Sequence, residues 1–307
     1  MKEKNNKKTI IIISSVLVLL LGLSTVLFFV FKNKSNNSFR LLKVMVVEGK
    51  ANVNRKDTGD ITPYENMVLE SGDNVSLDTG KLTIKADEDK YVHLEENTEI
   101  ELKATGDEKK GKIAIELIKG AITNDIQNKL SNDSYYEINT PNSTMSVRGT
   151  MFRVWIYEID GVKYTKISVF EGKVSTRLVY KDGTVSDKEV VVEDGKEVII
   201  YEDGTTTDYL SDPTDIDYSQ LPDSVLTLLD YTIETEDRDV SITQEEIKRI
   251  LEGPYIVKFM YNGNEFGRQT VNKGDTASVP KLKPASGGNW DFDFGEPIER
   301  DTVIEWK

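Results

Sequence analysis

One acidic segment in the second half of the chain has the oxygen-ligand spacing of a calcium-binding loop. Taking Thr235 as the first position of a twelve-residue loop places Asp237 third and Asp239 fifth. Glu246 then falls at the twelfth position, which belongs to a bidentate glutamate. The first position lacks aspartate, however, and Val240 stands where the sharp turn needs glycine. The segment is therefore a degenerate calcium site or a solvated acidic turn before a capped helix.

The sequence contains few other residues of the types that catalyse reactions or bind metal. It contains no cysteine and a single histidine, His93, so thiolate zinc sites are excluded and a Ser-His-Asp triad has almost nothing to build on. His93 lies in an alternating run, and we expect its side chain to point from a strand into solvent. Two carboxylates would suffice for a glycosidase, but no pair stands out among 53 acidic residues. We predict no catalytic residues and a protein that is not an enzyme.

The charge balance argues against nucleic acid as a partner. The formal net charge is −14, and a basic stripe that would follow a phosphate backbone is missing. We therefore expect a protein or a polymer other than DNA or RNA.

An apolar run near the N-terminus predicts a membrane anchor. Residues 10–31 carry no charge. At about 1.5 Å per residue, such a helix crosses a bilayer core of roughly 30 Å. We predict a single-pass signal-anchor in the cell membrane, with residues 1–9 cytoplasmic, 32–40 a polar tether and the bulk of the chain extracytoplasmic. The alternative is a cleaved secretory signal, against which the length of the run argues.

Residues 41–210 have the pattern of an all-β domain. They are rich in Val, Ile, Thr and Tyr, and Asx-Gly turns interrupt them every few residues. Three segments, 46–53, 117–123 and 169–176, share an apolar-charged-glycine pattern. This echo favours stacked, solenoid-like strands, although the same pattern is common wherever short strands turn.

The stretch "NTPNSTMSVRGTMFRV" contains a change of strand phase. Met145 and Val147 share one face of a period-2 strand, whereas Phe152 continues the core on the opposite parity. Gly149 is the natural place for the slip, because a bulge adds one residue and often needs a positive φ. We predict a bulge or sharp bend here. Arg148 is then an exposed partner contact or pairs with a neighbouring carboxylate.

The next turn fixes a hairpin register. Asp160 and Gly161 suit a two-residue loop. The register that follows puts apolar pairs on one face and polar or aromatic pairs on the other. The predicted pairs are Val154 with Ile167, Phe152 with Val169, Arg153 with Ser168, and Trp155 with Lys166.

These motifs resemble the FecR domain. The residues that carry the resemblance are Thr140, Pro141, Gly149, Thr150, Phe152 and Gly172, and the similarity extends over roughly residues 44–200. FecR proteins are membrane-anchored sensors that relay a signal from an outer-membrane receptor to a cytoplasmic σ factor. Nine residues on the cytoplasmic side leave no room for a σ-binding domain. The resemblance therefore implies the exported β-domain and its association with a partner, but not the inward relay.

The pattern of residues 211–253 predicts a helix-loop-helix linker. Residues 221–233 have apolar positions at helical spacing, with Pro222 in the first turn. In the second helix, Thr243 and Glu246 form a capping box, and Gly253-Pro254 ends it.

Residues 254–307 resemble a Listeria–Bacteroides repeat of the internalin B-repeat type. The matching positions are Tyr255, Val257, Phe259, Gly263, Val271, Gly274, Pro280, Trp290, Phe292, Pro297 and Ile298. The resemblance implies a small β-rich module of extracellular proteins. Its aromatic residues are core in a module of this size, or else a platform for carbohydrate.

Together these patterns predict a mainly β, membrane-anchored protein. We expect a non-enzymatic, extracytoplasmic binding and signalling protein whose FecR-like domain docks a protein partner of the envelope. The alternative is a surface attachment protein that contacts wall polymer or matrix. No cofactor is predicted apart from the calcium alternative.

Overall fold

The computed structural model describes residues 42–87, 89–105, 112–128, 135–147, 149–201, 209–285 and 287–307. The predicted anchor and tether lie outside these ranges. Among the residues that the structure describes, no helix is long and apolar enough to cross a membrane.

The described residues are mainly strands, as the alternating patterns predicted. Within the described ranges, the elements are nineteen strands, one short 3-10 helix at Tyr218–Gln220, and two α-helices, α1 at Asp223–Glu236 and α2 at Gln244–Glu252. The strands are β1 Leu42–Arg55, β2 Gly59–Ile61, β3 Val68–Leu69, β4 Asn74–Ala86, β5 Lys90–Leu94, β6 Thr98–Thr105, β7 Lys112–Ile126, β8 Tyr135–Thr140, β9 Ser143–Val147, β10 Met151–Ile159, β11 Val162–Glu171, β12 Lys173–Val179, β13 Val185–Glu193, β14 Lys196–Tyr201, β15 Tyr209–Leu210, β16 Thr214–Asp215, β17 Tyr255–Tyr261, β18 Asn264–Val271 and β19 Thr302–Glu305.

One sixteen-stranded sheet forms most of the molecule. Its main path runs β13-β12-β9-β8-β7-β10-β11-β14-β15, and β1 to β6 join it through β7. Of its described strand pairs, β7 with β8 alone is parallel. The predicted solenoid-like stack is therefore wrong, because stacked coils would align successive strands in parallel whereas this sheet is built mainly of antiparallel ladders.

Strict alternation gives the sheet one apolar and one mixed face. In β10, Phe152, Val154 and Ile156 enter the main hydrophobic core. Arg153 and Trp155 point to the opposite side, as period-2 geometry requires. We call this opposite side the outer face.

The predicted hairpin register between β10 and β11 is confirmed. All four predicted pairs occur, including Val154 with Ile167 and Trp155 with Lys166. Asp160 and Gly161 form the loop with φ of 51° and 80°, the two positive values that a type I′ turn needs.

The phase change in "NTPNSTMSVRGTMFRV" is a bend between two strands. β9 ends at Val147 and pairs with β8 and β12, while β10 begins at Met151 and pairs with β7 and β11. Gly149 lies between them with φ 75°. The expectation of a sharp bend is thus correct, whereas a bulge within one continuous strand is not what forms. The ladder irregularity falls at Met151 and Phe152 instead.

A second glycine makes the matching bend between β11 and β12. Gly172 has φ 81°, and a Cβ there would lie 2.7 Å from the carbonyl oxygen of Gly149. The glycines of the other two echoed segments, Gly49 and Gly120, also have positive φ. The glycine of the repeated pattern therefore lies where a long strand bends.

The two helices pack on the outer face and share a second core with it. Met151 and Phe170 supply the sheet side of this core, and Val225, Leu229 and Ile247 belong to the helical side. The predicted capping box of Thr243 and Glu246 is present at the start of α2. Pro222 differs from prediction: it is the N-cap of α1 and precedes the first turn.

The C-terminal residues form a separate three-stranded sheet in the order β18-β17-β19. Tyr255, Val257, Phe259 and Trp290 are buried in its core, where Trp290 contacts Phe259 edge-on at 5.1 Å between ring centroids. The prediction that Trp290 is a core residue is therefore confirmed. Arg300 ties this module to the chain before α1 by donating to the carbonyl oxygens of Ser219 and Leu221.

Candidate functional site

Polar side chains form one continuous row across the outer face. Strand register places neighbours side by side on six strands, β4, β5, β7, β10, β11 and β14. The row is Thr83, His93, Thr123, Arg153, Ser168 and Glu197. Because His93, Arg153 and Ser168 each stand between two residues of the main core, the row belongs to the outer face.

A cavity of about 520 Å³ lies between this row and α1. Val46, Thr83, His93 and Thr123 line its sheet side, and one stripe of the helix lines the other. That stripe consists of Ser224, Val225, Thr227, Leu228 and Tyr231. The helix thus covers part of the sheet without filling the space beneath it.

His93 points into the cavity. Its Nδ1 lies 3.1 Å from Thr83 Oγ1, and its ring stacks on Tyr91 at 6.4 Å between centroids. Burial lowers the pKa of His93 from 6.5 to about 4, so the imidazole is neutral at physiological pH. The expectation that this side chain points into solvent is wrong, because α1 folds over the strand that carries it.

An ion pair separates the cavity from the open part of the outer face. Arg153 is buried and donates to both oxygens of Glu95, from Nε at 2.6 Å and from Nη2 at 2.8 Å. The guanidinium also lies 5.1 Å from the centroid of the Trp155 ring. A bidentate geometry of this kind fixes both side chains. Glu95 lines the cavity, so the pair forms its wall on this side.

Beyond Arg153 the outer face carries four aromatic residues in contact. Trp155 lies 4.4 Å from Tyr157, Tyr157 5.1 Å from Tyr164, and Tyr164 5.0 Å from Tyr201. We call these four residues the aromatic row. Trp155 is 36 % exposed and the three tyrosines are half-buried. An exposed set of rigid aromatic rings is typical of a contact surface.

Arg238 fastens the helical pair to the sheet. Its guanidinium donates to Asp125 at 2.6 Å, to Glu171 at 2.6 Å and to Glu236 at 3.1 Å. Burial lowers the pKa of Arg238, but the three carboxylates outweigh burial and the pKa is raised overall. The side chain therefore stays charged and holds the loop between α1 and α2 against β7 and β11.

The buried carboxylates of the described residues are all in ion pairs. Asp73 lies 2.7 Å from Arg55, Asp125 2.6 Å from Arg238, and Glu197 2.7 Å from Lys166. Pairing of this kind stabilises charge that folding has buried.

The predicted motif residues Thr140 and Pro141 build a turn. Pro141 and Asn142 connect β8 to β9, and Thr140 Oγ1 accepts from the backbone nitrogen of Ser143 at 3.0 Å. Asn142 is buried and donates to the carbonyl oxygen of Ile200 at 3.3 Å. This set of hydrogen bonds ties the turn to β14, so its role is structural.

Gly149, Thr150 and Gly172 come together where the two bends cross. Thr150 is buried and its Oγ1 donates to the carbonyl oxygen of Lys173 at 3.0 Å. Phe152 follows in the main core. These motif residues therefore form the crossing of two bends. Arg148, the predicted contact residue, lies outside the described residues.

The predicted calcium ligands fall at the junction of the two helices. Thr235 is inside α1, and Asp237 is the C-cap with φ 50°. Glu246 Oε2 accepts from the nitrogen of Thr243 at 3.0 Å and from its hydroxyl at 2.7 Å, while Asp239 is exposed. Within the described ranges, no three acidic or histidine side chains are grouped to hold a metal ion. Calcium binding by Asp237, Asp239 and Glu246 stays a prediction, with Glu246 serving as a helix cap.

The cavity and the aromatic row escaped prediction as a site. The hairpin register did place Arg153 and Trp155 on the non-core face. A signal was present in β4 and β5, where Thr83 and His93 alternate with core residues. Their alignment depends on long-range register, which sequence spacing alone does not fix.

Comparison with known proteins agrees with the motifs. Residues 72–175 match the family model described as FecR protein. This range includes every predicted motif residue from Thr140 to Gly172. A search of curated proteins finds no relative that matches the chain.

Two crystal structures are similar in fold over much of the chain. Both are of a protein from Parabacteroides distasonis ATCC 8503 that has been proposed as an anti-sigma factor, solved at 1.65 Å and 2.50 Å resolution. Each is 12 % identical and covers 76 % of this chain, with a TM-score of 0.38. The matches cover 98 % and 97 % of those chains. A likeness at this level does not by itself carry a functional conclusion.

Proposed function

We propose that this protein is a non-enzymatic binding and signalling protein whose FecR-like β-domain docks a protein partner through the aromatic row. The observation that carries the proposal is the row itself: Trp155, Tyr157 and Tyr164 lie in the matched range, and Trp155 is exposed. The four rings of the row are in contact, with 4.4 to 5.1 Å between neighbouring centroids.

The charge of the chain defines the partner further. The formal net charge is −14, and Lys166 beside Trp155 is neutralised by Glu197 at 2.7 Å. A partner that offers basic and apolar side chains to this surface gains from electrostatic steering as well as from aromatic contact. We place the contact outside the cytoplasm, with residues 10–31 as a single membrane span and the N-terminus inside.

The experiment is affinity capture of the full-length protein from its own membranes after mild crosslinking, with mass spectrometry of the material retained. We expect one recurrent envelope protein. A Trp155→Ala variant serves as the matched control and should retain much less of it, because truncation of an exposed aromatic anchor weakens an interface without unfolding a sheet.

The same experiment separates the alternative function. If wall polymer is retained without any enriched protein, and Trp155→Ala retains as much of it, the protein is an attachment protein and residues 254–307 are the next region to test. Retention of neither would contradict both functions.

A further inference from the structure

The wall of the cavity beneath α1 includes a buried threonine whose hydroxyl group has no hydrogen-bond partner among the described residues. Thr123 is 1 % exposed and lines the cavity, yet its Oγ1 has no partner among the described residues. Buried polar atoms are nearly always satisfied in folded proteins, so each exception needs an explanation. A bound molecule that donates to or accepts from this hydroxyl supplies one.

The neighbouring imidazole provides a second hydrogen-bonding group. Thr83 Oγ1 engages His93 Nδ1 at 3.1 Å and fixes the ring. In a neutral imidazole one nitrogen donates and the other accepts. Nε2 therefore donates to a bound molecule if Nδ1 is the acceptor, and accepts from it if Nδ1 is the donor. His93 and Thr123 are partners in the strand register and therefore present both groups side by side.

The opposite side of the cavity is mainly apolar, with Ser224 and Thr227 as its polar residues. Val225, Leu228 and Tyr231 come from one stripe of α1 and face the polar row across the space. A cavity of about 520 Å³ is within the range of about 300–1,000 Å³ that small-molecule sites occupy. Its walls thus suit a molecule with one apolar and one hydrogen-bonding side.

Charge at the cavity is balanced. Glu95 is held by Arg153 in a bidentate pair, and Glu48 lies beside Lys81 in the register of β1 and β4. Glu48 and Lys81 carry opposite charges, so the lining has no net charge that could compensate an ionised group, and a buried ion would lose hydration without a net counter-charge. An uncharged ligand avoids this loss.

We propose that the cavity binds one small, uncharged amphipathic molecule, with its apolar side against Val225, Leu228 and Tyr231 and its hydrogen-bonding group against Thr123 and His93. This site is distinct from the aromatic row and does not depend on the docking of a protein partner.

Because the chain contains no cysteine, disulfide tethering tests the site directly in the full-length protein. One variant, Thr227→Cys, carries a single thiol at an exposed position that lines the cavity, and a second variant, Thr235→Cys, is its matched control. The two positions share residue type, helix and exposure, but Thr235 does not line the cavity. The probes are 4-(2-sulfanylethyl)phenol and 4-(2-sulfanylethyl)benzoate, equilibrated in a mercaptoethanol buffer and quantified by intact-protein mass spectrometry.

We expect the phenol to form its adduct with the Thr227→Cys variant with an equilibrium constant about tenfold or more above that with Thr235→Cys, and the benzoate to show no such preference. Adding Thr123→Val to Thr227→Cys keeps the side-chain shape and should lower the phenol constant about fivefold. Leu228→Trp fills the cavity from the helix side. Added to Thr227→Cys, it should abolish the preference of the phenol for this variant over Thr235→Cys.

Three results would overturn the proposal. One is an equal phenol constant for the two cysteine variants, and another is a preference for the benzoate that equals or exceeds that for the phenol. The third is a phenol preference that survives Leu228→Trp, because the adduct would then form without using the cavity.

Discussion

Gly172 and Gly161 share a backbone conformation but differ in their surroundings. Their φ values are 81° and 80°, yet a Cβ at Gly172 would lie 2.7 Å from the Gly149 carbonyl oxygen, whereas one at Gly161 would meet nothing within 4 Å. Gly161→Ala should lower the free energy of unfolding by about 1–2 kcal/mol, because alanine is strained in the left-handed conformation. Gly172→Ala should cost clearly more, because the two bends must separate. Urea unfolding of both variants measures the difference, and equal losses would contradict the crossing of the bends.

His93 predicts a defined pH dependence of stability. Its pKa is near 6.5 in the unfolded chain and lowered to about 4 by burial in the fold. Between these values the unfolded state binds the proton and the folded state does not, so stability falls as the pH drops through this window and levels off below about 4. The loss is about 1.4 kcal/mol per pH unit within the window.

The measurement compares the free energy of unfolding of the protein and of His93→Gln from pH 7 to pH 4. Glu48, Lys81 and Glu95, which line the cavity with His93, are present in both chains, so their titration cancels in the difference. We expect the protein to lose stability relative to the variant as the pH falls. A difference that stays constant across the range would show that His93 is solvated.

At the residue scale, the sequence predicted backbone conformation better than it predicted which side chains are buried. Gly149 and the Asp160-Gly161 loop were predicted because local phase and turn chemistry require them. The burial of His93 was not predicted, because α1 lies far along the chain from β5 and covers His93 only after folding. A residue's exposure depends on long-range packing, which spacing does not encode.

At the scale of elements, the attachment of the helical pair depends on Arg238. Arg238→Met would leave Asp125, which is 4 % exposed, without its cation. Removal of one member of a buried pair costs about 3–5 kcal/mol, and the partly exposed guanidinium places this case near the lower end. We expect a matching loss in urea unfolding.

The double variant Asp125→Asn with Arg238→Met should be less destabilised than the sum of the single variants, because the unpaired charge is then absent. Arg268→Met is the matched control: its pair with Glu265 is on the surface of the C-terminal module, and we expect no measurable change. Additive losses for the double variant would mean that Arg238 does not hold the helices through Asp125.

The elements were predicted to the degree that local signals determine them. The capping box at Thr243 and Glu246 located α2, and alternation with a two-residue turn gave the whole register of β10 and β11. The sheet topology was missed, because short glycine-containing segments suit both stacked coils and bent antiparallel strands. The role of residues 211–253 was also underestimated: they share a core with Met151 and Phe170 and do more than connect two modules.

At the scale of the whole molecule, one outer face of the main sheet carries three different regions. The helical pair packs near Met151, the cavity lies under α1 along β1, β4, β5 and β7, and the aromatic row lies on β10, β11 and β14. The acidic charge of the chain acts at the aromatic row, where it favours a basic partner. The composition argued against nucleic acid as a partner, but the face that a partner uses can be proposed only from the folded sheet.

The most direct measurement is site-specific photo-crosslinking of the full-length protein in its own membranes. A benzophenone amino acid replaces Trp155 in the aromatic row and, as the control, Tyr64, which is 63 % exposed outside it. Docking through the row predicts a discrete protein adduct from position 155 that is absent from position 64. The same adducts from both positions, or none from position 155, would contradict docking through this surface.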